Sequence, residues 1–135
     1  MILVDTNVLL DLVTRDPVWI AWSRDELSAA VIIDDVAIND VVYAELAAGY
    51  QRFEDVDDFI DRSRILVRRT PRQALFLAGK AFQRYRASGG TRTGVLPDFF
   101  IGAHALATSS RLITRDARRY RAYFPGIELI TPRVT

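Results

Sequence analysis

The sequence predicts an α/β fold, with a mainly parallel sheet covered by helices on both faces. Three observations carry that reading. Short apolar runs of strand type recur along the chain, at Ile2-Leu3-Val4, Val36-Ala37-Ile38, Ile65-Leu66-Val67 and Leu112-Ile113. Stretches with helical spacing of apolar residues stand between them. Strands that alternate with helices make βαβ crossovers, and those crossovers build a parallel sheet with covered faces.

Taken in order, Ile2-Leu3-Val4 ends in the turn-forming Asp5-Thr6-Asn7 and reads as a buried strand, followed by a helix over 7–13. Asp16-Pro17 is a helix start, with Asp as cap and Pro at the first helical position. Val18, Trp19, Trp22 and Leu27 would form the apolar side of that helix. A second strand, 36–38, leads into a helix capped by Asn39 or Asp40 and running to Gly49. Phe53, Val56, Phe59 and Ile60 have helical spacing, and a third strand falls at 65–67. Thr70-Pro71 opens the longest helix, which ends near Gly89-Gly90. Gly89 to Gly94 is polar and glycine-rich, so a mobile loop is expected. Pro97-Asp98 starts a helix through Ala107. A fourth strand at 111–114, a short helix at 117–123 and a last strand at 127–130 complete the series.

A length of 135 residues fits one domain, spanning 1–135, with enough chain to bury one core. The absence of cysteine excludes disulfide frameworks, zinc–thiolate sites and thiol nucleophiles. The N-terminus lacks the basic region of a signal peptide, and its apolar run meets Asp5 at once. The apolar stretches are too short to cross a bilayer. A soluble, cytoplasmic protein with no membrane partner is therefore expected.

The formal net charge of +1 conceals a split. Residues 1–67 hold 14 acids and 5 bases, whereas residues 68–135 hold 3 acids and 13 bases. Lys80 is the only lysine, so the basic half is built from arginine, which suits bidentate phosphate contacts. Arginine-rich coding in a GC-rich genome would give the same count.

In parallel sheets the ligand site lies beyond the carboxyl ends of the strands. Asp5 follows the first strand directly, and Asp116 follows the fourth by one residue. Asp98 begins the helix after the glycine-rich loop. Glu45 sits about one and a half turns into the helix after the second strand, a charge among Val42, Tyr43, Ala44 and Leu46. Of the three acids in the basic half, Asp98 and Asp116 are two. Carboxylates brought together repel one another and are costly to bury, and a divalent cation relieves both costs. Oxygen ligands with no cysteine and one histidine favour Mg²⁺ or Mn²⁺. Taken alone, Asp5, Asp98 or Asp116 is better read as a helix cap, and Glu45 could pair with an arginine or face water, but four acids on one edge are harder to explain so. Thr6, Asn7 and Thr114 are candidates to orient these carboxylates. His104 sits among alanines on a helix and reads as structural. Trp19 and Trp22 read as core or a dimer face, not as a platform for base stacking.

Ile2-Leu3-Val4-Asp5-Thr6-Asn7-Val8-Leu9-Leu10 resembles the opening of PIN-domain nucleases, particularly VapC-type toxins of bacterial toxin–antitoxin pairs. Tyr43-Ala44-Glu45-Leu46 resembles their second acidic motif, and Leu96-Pro97-Asp98-Phe99-Phe100-Ile101-Gly102-Ala103-His104-Ala105 their third. Leu112-Ile113-Thr114-Arg115-Asp116-Ala117-Arg118-Arg119-Tyr120 is similar to the fourth, and Tyr123-Phe124-Pro125-Gly126 continues the pattern. The resemblance covers essentially the whole chain, in the family's order. It implies a three-layer α/β/α sandwich, with Asp5, Glu45, Asp98 and Asp116 as the catalytic, metal-holding acids. It also implies RNA as substrate, homodimerisation, and inhibition by a cognate antitoxin.

The chemistry so implied is in-line hydrolysis of a phosphodiester assisted by one or two ions, which needs no histidine base and leaves a 5′-phosphate. Arg92, Arg115, Arg118 and Arg119 would contact RNA phosphates near the site. DNA as substrate stays open, because this route does not use the 2′-hydroxyl. A catalytically weak binding module is the rival from another class. A phospho-acceptor receiver domain would need a lysine after a late strand, and Lys80 lies within a helix. A dehalogenase-type phosphatase would need a second acid where Asn7 stands.

Overall fold

The computed structural model describes residues 1–92 and 94–133. Its sheet holds five parallel strands, β1 (Ile2–Val4), β2 (Val36–Asn39), β3 (Leu66–Arg68), β4 (Arg111–Ile113) and β5 (Leu129–Ile130). They are ordered β3-β2-β1-β4-β5. Seven helices are described: α1 (Thr6–Val13), α2 (Ile20–Ile33), α3 (Asp40–Ala47), α4 (Phe53–Arg62), α5 (Arg72–Ala87), α6 (Leu96–Ala107) and α7 (Arg118–Tyr123). This is the expected α/β/α sandwich.

Burial explains the strands. Every residue of β1 and β2 is buried, as are Leu112 and Ile113 of β4, so helices must cover both faces of the sheet centre. β3 pairs on one side only, with Ala37 opposite Leu66, and its residues are exposed. The chain thus enters the sheet one residue later than its apolar run suggests. Ile65, 4 % exposed, is spent on the core, and Leu66 and Val67 lie on an edge at 37 % and 45 %. The last strand is likewise shorter than expected, because it too is an edge.

Two expected helix starts differ in detail. Asp16 accepts from the amides of Val18 and Trp19, both at 2.9 Å, and so closes a turn ahead of α2. Val18, at 74 % exposure, lies outside the apolar side. Thr70 does not cap α5. Its hydroxyl donates to the Asp40 carboxylate, and Pro71 holds the cap position without a side-chain bond. α3 ends at Ala47, two residues short of Gly49. By contrast Asn39 caps α3 as expected, accepting from Val42 N at 2.9 Å. Of the glycine-rich loop at 89–94, Thr93 lies outside the described residues. Among the described residues no helix is long and apolar enough to cross a membrane.

The strand order sets the position of the site. From β1 the chain builds outward through β2 and β3, then returns to the opposite side of β1 for β4 and β5. The direction reverses between β1 and β4, whose register pairs Leu3 with Leu112 and Val4 with Ile113. A crevice opens at such a reversal, beyond the carboxyl ends of the two strands. Asp5 and Thr114 are the first residues past those ends.

Candidate active site

The Asp5 amide donates to Ile113 O at 2.9 Å, so the sheet pairing itself delivers this aspartate to the crevice. Asp5 is 5 % exposed. One carboxylate oxygen, Oδ2, accepts from the Thr114 hydroxyl and the Tyr120 hydroxyl, each at 2.8 Å, and more loosely from Asn7 Nδ2 at 3.4 Å. Asp5 occupies the cap position of α1 but makes no capping bond with its side chain. Burial pushes its pKa up to about 6, with the Asp98 charge adding to the rise and the two hydroxyls opposing it.

Glu45 projects from α3, and the Thr6 hydroxyl donates to its Oε1 at 2.7 Å. Its pKa is raised, first by desolvation of the carboxyl and then by Asp98, against the Thr6 bond. Asp98 lies in the first turn of α6, after the helix has begun at Leu96, and Val95 rather than Asp98 holds the cap position. Desolvation raises its pKa, the paired Arg119 guanidinium lowers it, and Asp116 raises it. Asp116 is exposed at the mouth and does not cap α7, where Ala117 holds that position. Its amide donates to Thr114 Oγ1 at 3.1 Å.

The structure therefore brings Asp5, Glu45 and Asp116 within charge range of Asp98: the Asp98 charge raises the proton affinity of Asp5 and Glu45, and the Asp116 charge raises that of Asp98. The donors are hard carboxylate oxygens. Such donors are the chemistry that suits a divalent ion, which would relieve the mutual repulsion. As the side chains stand, no three acidic or histidine groups among the described residues are close enough to hold one ion. Arg119, hydrogen-bonded to Asp98, is the cation that the site already contains.

Thr6 and Thr114 each bond a site carboxylate directly. Asn7 bridges the two strand ends, donating to Thr114 Oγ1 at 3.4 Å and accepting from Arg115 N at 3.4 Å. Of the four arginines, Arg92, Arg118 and Arg119 share a cleft of about 360 Å³ with Tyr85, Asp116 and Tyr123. Arg115 lines a different cleft, which also includes Asp116. Its Nε donates to both oxygens of Asp11, at 2.9 and 3.2 Å, and its guanidinium stands over the Trp19 ring, 5.5 Å from the centroid. His104 is 1 % exposed and burial lowers its pKa, in keeping with a structural residue.

Two residues escaped the sequence reading. Tyr120 is 1 % exposed and donates its hydroxyl to Asp5; burial, followed by the Asp5 and Asp98 charges, drives its own pKa well up. Asp11, 1 % exposed, accepts from Ser23 as well as Arg115. The signal for Asp11 was present: it is a charge between Leu10 and Leu12, the same anomaly that marks Glu45. For Tyr120 only its position, one turn after Asp116, pointed to the site.

A buried aspartate at the topological switch of a five-strand parallel sheet, ringed by further acids, defines a PIN-like α/β domain with an acidic crevice. The PIN domain family profile matches residues 2–125, and the chain belongs to that family. Among solved structures it is similar to VapBC2 from Rickettsia felis bound to a promoter DNA fragment. That match has a TM-score of 0.75 and 21 % identity over 98 % of this chain and 100 % of that one. VapBC-1 from nontypeable Haemophilus influenzae gives 0.71 and 25 %, over 97 % of this chain and 98 % of that one. A toxin–antitoxin complex from Klebsiella pneumoniae gives 0.69 and 23 %, over all of both chains. No curated protein sequence matches the chain.

Proposed function

We propose that this chain is a Mg²⁺- or Mn²⁺-dependent endoribonuclease, the VapC-type toxin of a toxin–antitoxin pair, working in the cytoplasm and silenced by its cognate antitoxin. The observation that supports it most is the convergence of Asp5, Glu45, Asp98 and Asp116 on the switch-point crevice. Similarity to chains solved as toxin–antitoxin complexes supports the antitoxin. Exposed apolar side chains, among them Phe53 at 67 % and Phe76 at 62 %, leave surface for that partner and for a second copy.

In this reading the four acids hold the ion or ions, and each has a task set by its surroundings. Thr114 and Tyr120 tie down one oxygen of Asp5. Thr6 holds Glu45 in the same way. Arg119 keeps Asp98 charge-compensated, and the exposed arginines collect phosphates. When bound, a divalent ion supplies a water nucleophile at neutral pH and neutralises charge building on the phosphate oxygens.

Incubating purified, antitoxin-free protein with total RNA in Mg²⁺, Mn²⁺ or EDTA tests this directly. The Asp5→Asn/Asp98→Asn variant runs beside it as a control for contaminating nuclease. Expected are metal-dependent cuts bearing 5′-phosphates, absent from the variant. Equal cutting by the variant, 2′,3′-cyclic phosphate ends, or no cutting with either metal would overturn the proposal. Cutting of DNA but not RNA would move the assignment to a DNA nuclease.

A further inference from the structure

Beside the acidic crevice lies a second cleft, of about 1190 Å³, lined by Trp19, Arg115, Arg118, Arg121 and Arg133 among others. It shares Asp116 and Arg118 with the smaller cleft, so the two clefts meet at these residues. Its chemistry is unlike a plain basic face. Arg121 and Arg133 are exposed, and among the described residues neither forms a salt bridge, but Arg115 is built in. Asp11, 2 % exposed at its side chain and held by Ser23, grips the Arg115 Nε, while the guanidinium lies over the half-buried Trp19 ring. Trp19 is braced in turn by an edge contact with Trp22, at 6.3 Å between centroids.

The Arg115 charge is thus balanced inside the protein. A guanidinium used only to catch phosphate has no need of a buried carboxylate or of an indole beneath it. A planar cation fixed on an aromatic ring is a surface on which an unpaired nucleobase stacks. An acidic peptide would use the charges of this cleft but not its flat stack.

We infer that this cleft is a nucleotide subsite for single-stranded RNA. The Arg115–Trp19 stack receives one unpaired base, and Arg118, Arg121 and Arg133 take phosphates of the strand leading away from Asp116. The inference rests on the RNA reading of the acidic site and adds how the substrate is gripped: by base stacking as well as by charge. It assigns Trp19 to base stacking with the substrate, which the sequence reading had set aside in favour of core or a dimer face.

The test uses the full chain carrying Asp5→Asn to silence cleavage. Two probes of equal length are compared, a uridine hexanucleotide and the abasic ribose-phosphate strand. The base-bearing strand is expected to bind about tenfold more tightly, the scale of one stacked base. Trp19→Ala should erase that ratio while leaving abasic binding unchanged. The Arg121→Ala/Arg133→Ala double variant alters only exposed side chains. It should weaken both strands alike and reduce the salt slope by about 1.4, the value for two phosphate contacts on a single strand. Equal affinity for the two probes in the unaltered cleft would overturn the inference, whatever the behaviour of Trp19→Ala. Polyglutamate displacing the hexanucleotide as well as polyuridine does would also overturn it and give the cleft to an acidic peptide. RNA cleavage by the wild-type chain with equal probe affinities would sink the subsite alone. Stacking-dependent binding without cleavage would sink the nuclease reading alone.

Discussion

Asp5→Asn should make the metal-free protein more stable while ending its activity. The Asp5 pKa stands at about 6 against an ordinary 3.8, so the folded state prefers the protonated carboxyl. A folded-state pKa above the unfolded one means that stability falls as pH rises from the lower value through the higher. Two units of difference correspond to about 3 kcal/mol, at 1.36 kcal/mol per unit, imposed in full above pH 7. Asparagine keeps the acceptor for Thr114 and Tyr120 and carries no charge, so it escapes that penalty. At pH 8 in EDTA, urea unfolding should place the variant about 2–3 kcal/mol above wild type, with a melting temperature higher by roughly 10 °C. The advantage should shrink to about half at pH 5, because wild-type Asp5 is then mostly protonated when folded. An unchanged or lower stability at pH 8 would refute the reasoning. So would an advantage that does not vary between pH 5 and pH 8, because it would not come from the buried charge.

Other consequences reach further into the fold. Arg119→Ala should tighten Mn²⁺ binding several-fold, since it removes the cation that competes for Asp98; calorimetric titration would show weaker binding if Arg119 instead helps to build the site. Gly102→Ala places a methyl 2.5 Å from Phe124 Cδ2 and 3.1 Å from Tyr120 Cδ1, and should cost about 1–3 kcal/mol by urea unfolding. Arg115→Ala leaves Asp11 buried without its ion pair and should cost about 3 kcal/mol, read the same way, with a wild-type-like value contradicting the pair's structural weight. Burial lowers the His104 pKa and so favours the neutral ring, and the stability it contributes is lost as pH falls from its ordinary 6.5. His104→Gln should flatten that part of the stability curve.

Much of this molecule is legible in its sequence. The aliphatic runs locate the buried strands because a strand covered on both faces has no room for polar alternation. The four acids stand out because three lie next to strand or helix ends and Glu45 interrupts an apolar helix. Edge positions are harder to read. Leu66 and Val67 look like core residues, yet β3 pairs only with β2, and nothing local announces which strand is outermost. Caps are misleading for a related reason: Thr70 has the right neighbours for a cap, but Asp40, thirty residues away, takes its hydroxyl. The same long-range pairing hides Tyr120 and Asp11. The partner of Tyr120 lies across the sheet reversal, and the role of Asp11 exists only once α1 meets the turn after β4.

The most direct test of the central claim is Mn²⁺ binding, followed by the loss of free-ion paramagnetic resonance in wild type and in the single variants Asp5→Asn and Asp98→Asn. The account predicts a saturable site in wild type that weakens at least tenfold in each variant. Equal binding by wild type and both variants would show that these carboxylates do not hold the ion, and would contradict the account at its foundation.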